Sequence, residues 1–383
     1  MVHFLASQAI YKSLKSNTRK YVEFGALSLL AVAILWWFGR NLNWSEVRLA
    51  VGRANGYLLG LAVLVVSLSF WLRAVRWGAL LAPLCPARLR DLFIATTVGF
   101  GAVFILGRTG EVVRPVVLPM RDAGIRPSAS FVTIMVERIY DLLAVVVLFA
   151  ANLLWLRPPP NLAIEFGRVR IAGIVLLILM LSAVFALTQF RKRSQRAITL
   201  ITRKLERRRF VPARLSRAIV SVVEQLASAL RVLVNARELA VTMGWTALVW
   251  LAIALGNLLV FRAFGLPFGI TETIFVMGWA LVGSLVPTPG GAAGAFHAAT
   301  AAGLIFLGVT RDKAAAVSIV MHLVDFGPAL FFGLYYLLRG DISLARLRSR
   351  ASTEAVEHAV EDEKLLPDEV IGQGPMEAAT VRD

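Results

Sequence analysis

Apolar runs close to twenty residues long, parted by short polar segments, dominate the chain. A bilayer core about 30 Å thick needs ~20 apolar helical residues to cross it. The runs at residues 21–38, 56–81, 128–156, 170–190, 238–264 and 313–338 therefore predict spanning helices. Trp36 and Trp37 close the first, where aromatic rings favour the interface. Three further apolar stretches fit a plain crossing poorly. Residues 91–106 are short and carry Gly99 and Gly101. Residues 269–286 run into Pro287-Thr288-Pro289-Gly290-Gly291, and residues 298–307 follow that break. Such interruptions predict re-entrant or broken helices, with their freed backbone groups satisfied by protein, water or ligand. Residues 1–20 and 215–233 are amphipathic and predict segments lying at the membrane surface.

Composition agrees with this pattern. Of 383 residues, 58% are hydrophobic, against about 45–50% in soluble domains, and the mean hydropathy is +0.71. The predicted fold is all-α, a polytopic integral membrane helical bundle. No polar segment is long enough for a separate soluble enzyme domain. The predicted organisation is a cytoplasmic amphipathic N-terminus (1–20), a transmembrane domain (21–340) holding a basic cytoplasmic segment (191–236), and a disordered acidic tail (341–383), acidic and poor in aromatic residues.

The net charge of +17 suggests nucleic acid, but the basic residues sit in loops beside apolar runs, as the positive-inside rule requires. No nucleic-acid partner is expected. Residues 191–217 carry one acid, Glu206, among their many basic residues. This marks the cytoplasmic side of a cell membrane and favours contact with anionic headgroups. The single cysteine, Cys85, excludes an internal disulfide and a cysteine cluster. The four histidines lack ligand spacing, so neither a metal nor a cofactor is expected.

With the N-terminus, residues 191–217 and the C-terminal tail all inside, the spans alternate correctly under one condition. The segments at 91–106 and 269–307 must each enter and leave by the same face, one from each side. Each precedes a long helix with an acid in it, Asp141 or Asp325. That is the pattern of an inverted repeat whose broken helices meet near the midplane.

Charged residues within apolar helices are costly and mark function by default. Arg73 and Arg76 share one face of the second run; they either snorkel to the interface or meet a lipid phosphate. Gly107-Arg108-Thr109-Gly110-Glu111-Val112-Val113-Arg114-Pro115 spaces Arg108, Glu111 and Arg114 by three, so one helical turn aligns them. Pro115 either starts the next helix or ends this one. Glu137 and Asp141 share a face one turn apart, while Arg138 projects elsewhere. Pairing of Arg108 or Arg114 with Glu137 or Asp141 leaves some arginine free, and the planar guanidinium fork suits phosphate. The set reads either as a structural ion-pair knot or as a headgroup site. His297, His322 and Asp325 form a second polar group, satisfied hydrogen-bonders or a proton relay. Amides in the Pro287–Gly291 turn, with Pro289 and Gly290, are placed to form an anion-binding nest.

Together, the Gly107–Pro115 stretch, Glu137-Arg138-Ile139-Tyr140-Asp141 and Pro287–Gly291 with the small residues after it resemble the flippase-like membrane domain of lysylphosphatidylglycerol synthases. The resemblance covers residues 20–340 in the same order and fits a stand-alone member without the soluble aminoacyltransferase domain. It implies a polytopic inner-membrane protein that moves or handles anionic lipids. The family often carries a glutamate shortly after the glycine pair; here His297 stands near that place. The expected function is translocation of an anionic phospholipid or a polyprenyl-phosphate-linked lipid. The phosphate is expected on Arg108 and Arg114. A membrane-embedded lipid-phosphate transferase or hydrolase is the alternative, as is an accessory subunit of a membrane glycosyltransferase. A homo-oligomer or a membrane enzyme is a further possible partner.

Overall fold

The computed structural model describes residues 25–26, 28–82, 84–122, 124–125, 127–156, 163–192 and 236–340. The expected surface segments at 1–20 and 215–233 and the acidic tail lie outside these residues, as does all but the start of the basic run. Every regular element among the described residues is helical: α1 (Ser28–Gly39), α2 (Trp44–Gly52), α3 (Gly56–Leu81), α4 (Leu89–Leu106), a 3-10 turn (Gly107–Val112), α5 (Val113–Arg121), α6 (Pro127–Trp155), α7 (Ala163–Lys192), α8 (Ala236–Ala263), α9 (Ile270–Gly283), α10 (Ala293–Phe306) and α11 (Arg311–Leu338). The chain is an all-α, multi-pass membrane bundle. At 1.5 Å per residue, α3, α6, α8 and α11 are each about 39–44 Å long, enough to cross a bilayer.

Two local expectations need correction. The loop after the first run holds the short helix α2, capped by the Asn43 side chain, which accepts from the Ser45 and Glu46 amides. Nine residues carry too little periodicity to stand out, and the cap decides the helix. The stretch at 91–106 is not interrupted: α4 is continuous for 18 residues, long and apolar enough to count as a span. Gly99 and Gly101 serve packing instead. A Cβ on Gly99 would lie 2.7 Å from that of Arg114, and one on Gly101 would lie 3.3 Å from the Ala329 carbonyl oxygen. The real break is at Gly107 (φ 68°).

Two similar units follow from this order. Each is a long helix, a helical hairpin and a second long helix: α3, α4–α5, α6 and then α8, α9–α10, α11. Several matching positions are 184 residues apart. Gly99 matches Gly283, Gly107 matches Gly291, Gly110 matches Gly294, Gly124 matches Gly308 and Asp141 matches Asp325. The first residues of α6 and α11, Pro127 and Arg311, obey the same register.

The leading helices, α3 and α8, pack along their length and run antiparallel. The Asn55 amide donates to the Ala263 carbonyl (2.9 Å) at one end, and Arg76 reaches Thr246 (3.3 Å) at the other. Between them Gly256 faces Val66 so closely that a Cβ would approach it to 2.5 Å. Antiparallel leading helices invert one unit relative to the other. Packing between the units is reciprocal: α4 lies on α11 and α9 on α6. Both hairpins close through glycine, Gly99 against Arg114 in the first and Gly283 against the Ala295 carbonyl oxygen (2.5 Å for a built Cβ) in the second.

The hairpin tips meet. The Gly291 amide donates to the Phe104 carbonyl (2.9 Å), and a Cβ on Gly107 would lie 3.0 Å from the Thr288 carbonyl oxygen. One apolar core fills the first hairpin, around Trp77, Leu92, Ile94, Val117 and Leu118. A larger one fills the second, around Phe261, Phe275, Phe296 and Leu304. Outward faces are apolar as well. On α7, Ile171, Leu179 and Phe185 are all exposed, as a surface in contact with lipid requires.

Candidate functional site

The charged residues of α3, α5 and α6 converge in the first unit. Arg76 grips Asp141 with both terminal nitrogens (2.6 and 3.1 Å) and lies 3.2 Å from Glu137. Arg114 grips Glu137 in the same fork-to-carboxylate way (2.6 and 2.9 Å). Two parallel N–H···O bonds fix geometry as well as energy. Arg138 folds back along its own helix onto Glu137 (2.9 Å) and approaches Asp141 to 3.7 Å. Arg73 reaches Asp141 only at 3.9 Å. Four guanidinium groups thus face two carboxylates.

Aromatic rings stabilise the surplus charge. The Arg114 guanidinium sits 4.2 Å over the Trp77 ring, and Trp77 is held by a hydrogen bond from its Nε1 to Thr133 (3.0 Å). Phe100 lies beneath three cations, Arg73, Arg138 and Arg114, at 5.0, 5.8 and 5.9 Å. Cations desolvated over an aromatic face gain about 2 kcal/mol or more.

The residues singled out from sequence fall into three groups here. Arg114 pairs with Glu137 as expected, and Pro115 lies in the first turn of α5, starting that helix. Arg76 neither snorkels nor waits for phosphate: it is fully buried and engaged by both carboxylates. Spacing alone could not reveal that α3 crosses α6 at this height. Arg138 does not point elsewhere, because its long side chain doubles back. The backbone of Arg108 and Glu111 lies in the 3-10 turn, whose three-residue period stacks them. Glu111 is exposed, within electrostatic reach of Arg138, and the Arg108 side chain lies outside the described part. Arg73 and Arg138 carry the least compensated charge, and a third of the Arg138 side chain is exposed (35%).

The second unit is built differently. The His297 and His322 rings stand perpendicular with centroids 4.9 Å apart, and His322 Nε2 is 3.2 Å from the Gly291 carbonyl oxygen. Asp325 lies one turn beyond His322, beside Asn257 and within reach of Arg73. Gly290, Gly291 and Ala292 all adopt left-handed φ, the conformation that the proline–glycine sequence prepares. The turn is not an open anion nest. The Gly291, Ala292 and Ala293 amides donate to the carbonyls of Phe104, Thr288 and Gly290. Pro287 and Pro289 shape the turn; Pro287 is exposed. Sequence reading missed Trp77, Phe100 and Asn257. The 184-residue register would have found Asn257, which stands where the first unit has Arg73.

The family model for the lysylphosphatidylglycerol synthase TM region matches residues 25–333. The chain belongs to this family. Two UPF0104 membrane proteins are similar to it along nearly their whole length. The one from Pyrococcus horikoshii is 25% identical over 340 residues, covering 83% of this chain and 97% of the relative. The one from Methanothermobacter thermautotrophicus is 25% identical over 331 residues, covering 84% and 93%. Within the lysylphosphatidylglycerol synthase TM region, the matched residues take in both inverted units.

Proposed function

We propose that the protein binds the phosphate of an anionic lipid and carries its headgroup across the cytoplasmic membrane. The observation that carries this reading is the surplus of guanidinium over carboxylate in the buried cluster. Arg76 and Arg114 are consumed by Asp141 and Glu137. Arg73 and Arg138 have capacity left, and we assign them to phosphate in place of Arg114, beside the Arg108 expected from sequence. Glu111 and Asp325 lie only within electrostatic reach of Arg138 and Arg73, so a hydrogen-bonded anion completes the pairing that the two gripping carboxylates leave open. The acyl or isoprenoid chains remain in lipid beside the bundle, so anionic phospholipids and polyprenyl-phosphate-linked lipids both fit.

The inverted units supply the route. The arms α9 and α10, at 14 residues each, span about 21 Å, less than the ~30 Å core. In the first hairpin α4 alone could reach across, but its return arm α5, at nine residues, could not; we therefore read both hairpins as re-entrant, one from each face, with their tips closing the path between the leaflets. Rocking one unit against the other would expose the cluster to each side in turn. The basic run at 191–217 supports a cytoplasmic side for the N- and C-termini.

Purified protein reconstituted into vesicles with a fluorescent anionic phospholipid tests this. The protein is expected to accelerate loss of protection from an impermeant quencher. Arg73→Gln and Arg138→Gln are expected to slow it at least ten-fold while the protein remains folded. Undiminished movement in both variants would refute the site.

A further inference from the structure

The second unit concentrates a feature that the ion-pair cluster does not use. Asn257, Thr288, His297 and Thr300 are all buried, with Asn257 and Thr300 wholly so. Among the described residues, Thr288 Oγ1, His297 Nε2 and Thr300 Oγ1 have no hydrogen-bond partner, and the Asn257 amide and the Asp325 carboxylate have at most each other. Such a group is costly if left unsatisfied. They are not scattered. His297 and Thr300 are one turn apart on α10, and His322 and Asp325 one turn apart on α11. The His297 and His322 rings touch, and Asn257 stands beside Asp325.

The chemistry of this set is that of hydroxyl recognition. An amide and two hydroxyls each donate and accept, and a carboxylate oxygen accepts, with no surplus positive charge. The 184-residue register sharpens the contrast: Arg73, Glu137 and Arg138 of the first unit become Asn257, Met321 and His322 in the second. Phe296, Phe326 and Phe104 surround His322 with ring centroids at 4.8, 4.9 and 5.6 Å. Flat apolar faces beside a few placed polar groups suit a ring whose edges carry hydroxyls and whose faces carry C–H bonds. The set is continuous with the phosphate cluster, because Arg73 is within electrostatic reach of Asp325.

We infer that Asn257, His297, Thr300 and Asp325 form a polyol subsite, binding the hydroxyl-bearing part of a headgroup whose phosphate lies on Arg73 and Arg138. The inference rests on the phosphate reading above and narrows its substrate to phosphodiester lipids carrying a sugar or cyclic polyol.

Binding of two short-chain lipids to the purified full-length protein tests it. Phosphatidylinositol and phosphatidylmethanol carry the same single negative charge, and only the first carries a polyol. The protein is expected to bind phosphatidylinositol at least ten-fold more tightly. Asn257→Leu and the near-isosteric Thr300→Val are expected to erase most of that preference and leave phosphatidylmethanol binding unchanged. Equal affinity of the unmodified protein for the two lipids overturns the polyol subsite alone. So does retention of the full preference in both variants. Absence of saturable binding by either lipid overturns the phosphate reading, and the subsite with it.

Discussion

Arg76 and Asp141, on helices 65 residues apart in sequence, are joined by two hydrogen bonds of 2.6 and 3.1 Å in the interior of the first unit. Arg76 also lies 3.2 Å from Glu137, so its removal strips buried Asp141 of its two short bonds and takes from Glu137 one of three cations. Breaking a buried pair by deleting one partner costs about 3–5 kcal/mol. Arg76→Met is therefore expected to lower the thermal unfolding midpoint in detergent by far more than Arg73→Gln, whose ion-pair contact with Asp141 is 3.9 Å. Adding Glu137→Gln and Asp141→Asn to Arg76→Met should recover part of the loss. Equal midpoints for the two single variants would contradict this division between a structural and a binding arginine.

Glycine positions separate packing from chance. A Cβ on Gly110 would overlap the Ala102 backbone, and one on Gly283 would meet the Ala295 carbonyl oxygen at 2.5 Å, whereas Gly56 and Gly60 have nothing within 4 Å. Alanine at 110 or 283 is expected to destabilise by about 1–3 kcal/mol, the range for overpacking. Alanine at the helical position Gly60 should stabilise slightly through helix propensity. Expression level and unfolding midpoint across the three variants read this directly.

The inverted units make a topological forecast. Leu84 precedes the first hairpin and Pro267 the second, and both are exposed. With Cys85 replaced by serine, cysteines at 84 and 267 are expected to react with an impermeant maleimide from opposite faces of the membrane. Labelling from one face would rule out the inversion.

Trp77 holds the arginine cluster from beneath. Trp77→Phe keeps a ring under Arg114 but loses the bond to Thr133 and weakens the cation–π contact. A cost of about 1–2 kcal/mol is expected, measurable as a drop in the unfolding midpoint. Trp77→Leu, which removes the ring altogether, should cost more.

Much of this architecture is legible in the chain. Residues 56–81, a run set by composition alone, match α3 to the residue, and the pairing of Arg114 with Glu137 follows from the need to neutralise buried charge. The fate of Arg76 does not. Which carboxylate an arginine meets depends on how two helices cross, and no residue spacing within α3 or α6 announces where they do. The turn at Pro287–Gly291 announces a break, but not that the Gly291 amide is satisfied by the neighbouring hairpin and those of Ala292 and Ala293 within the turn. Gly99 and Gly101 misled for a related reason: glycine in an apolar run marks either a break or a close helix contact, and only the presence of α5 and α11 decides between them.

The two halves share one architecture but not one means of cohesion. In the first, charged forks weld α3, α5 and α6 together. At the matching places in the second, Asn257 and Met321 supply no such charged weld, and apolar packing does most of the joining. The first half is therefore expected to resist opening more than the second. Local opening follows the weakest cooperative unit, so α9–α10 is expected to part from α11 first when the two units rock, with the first half as the anvil.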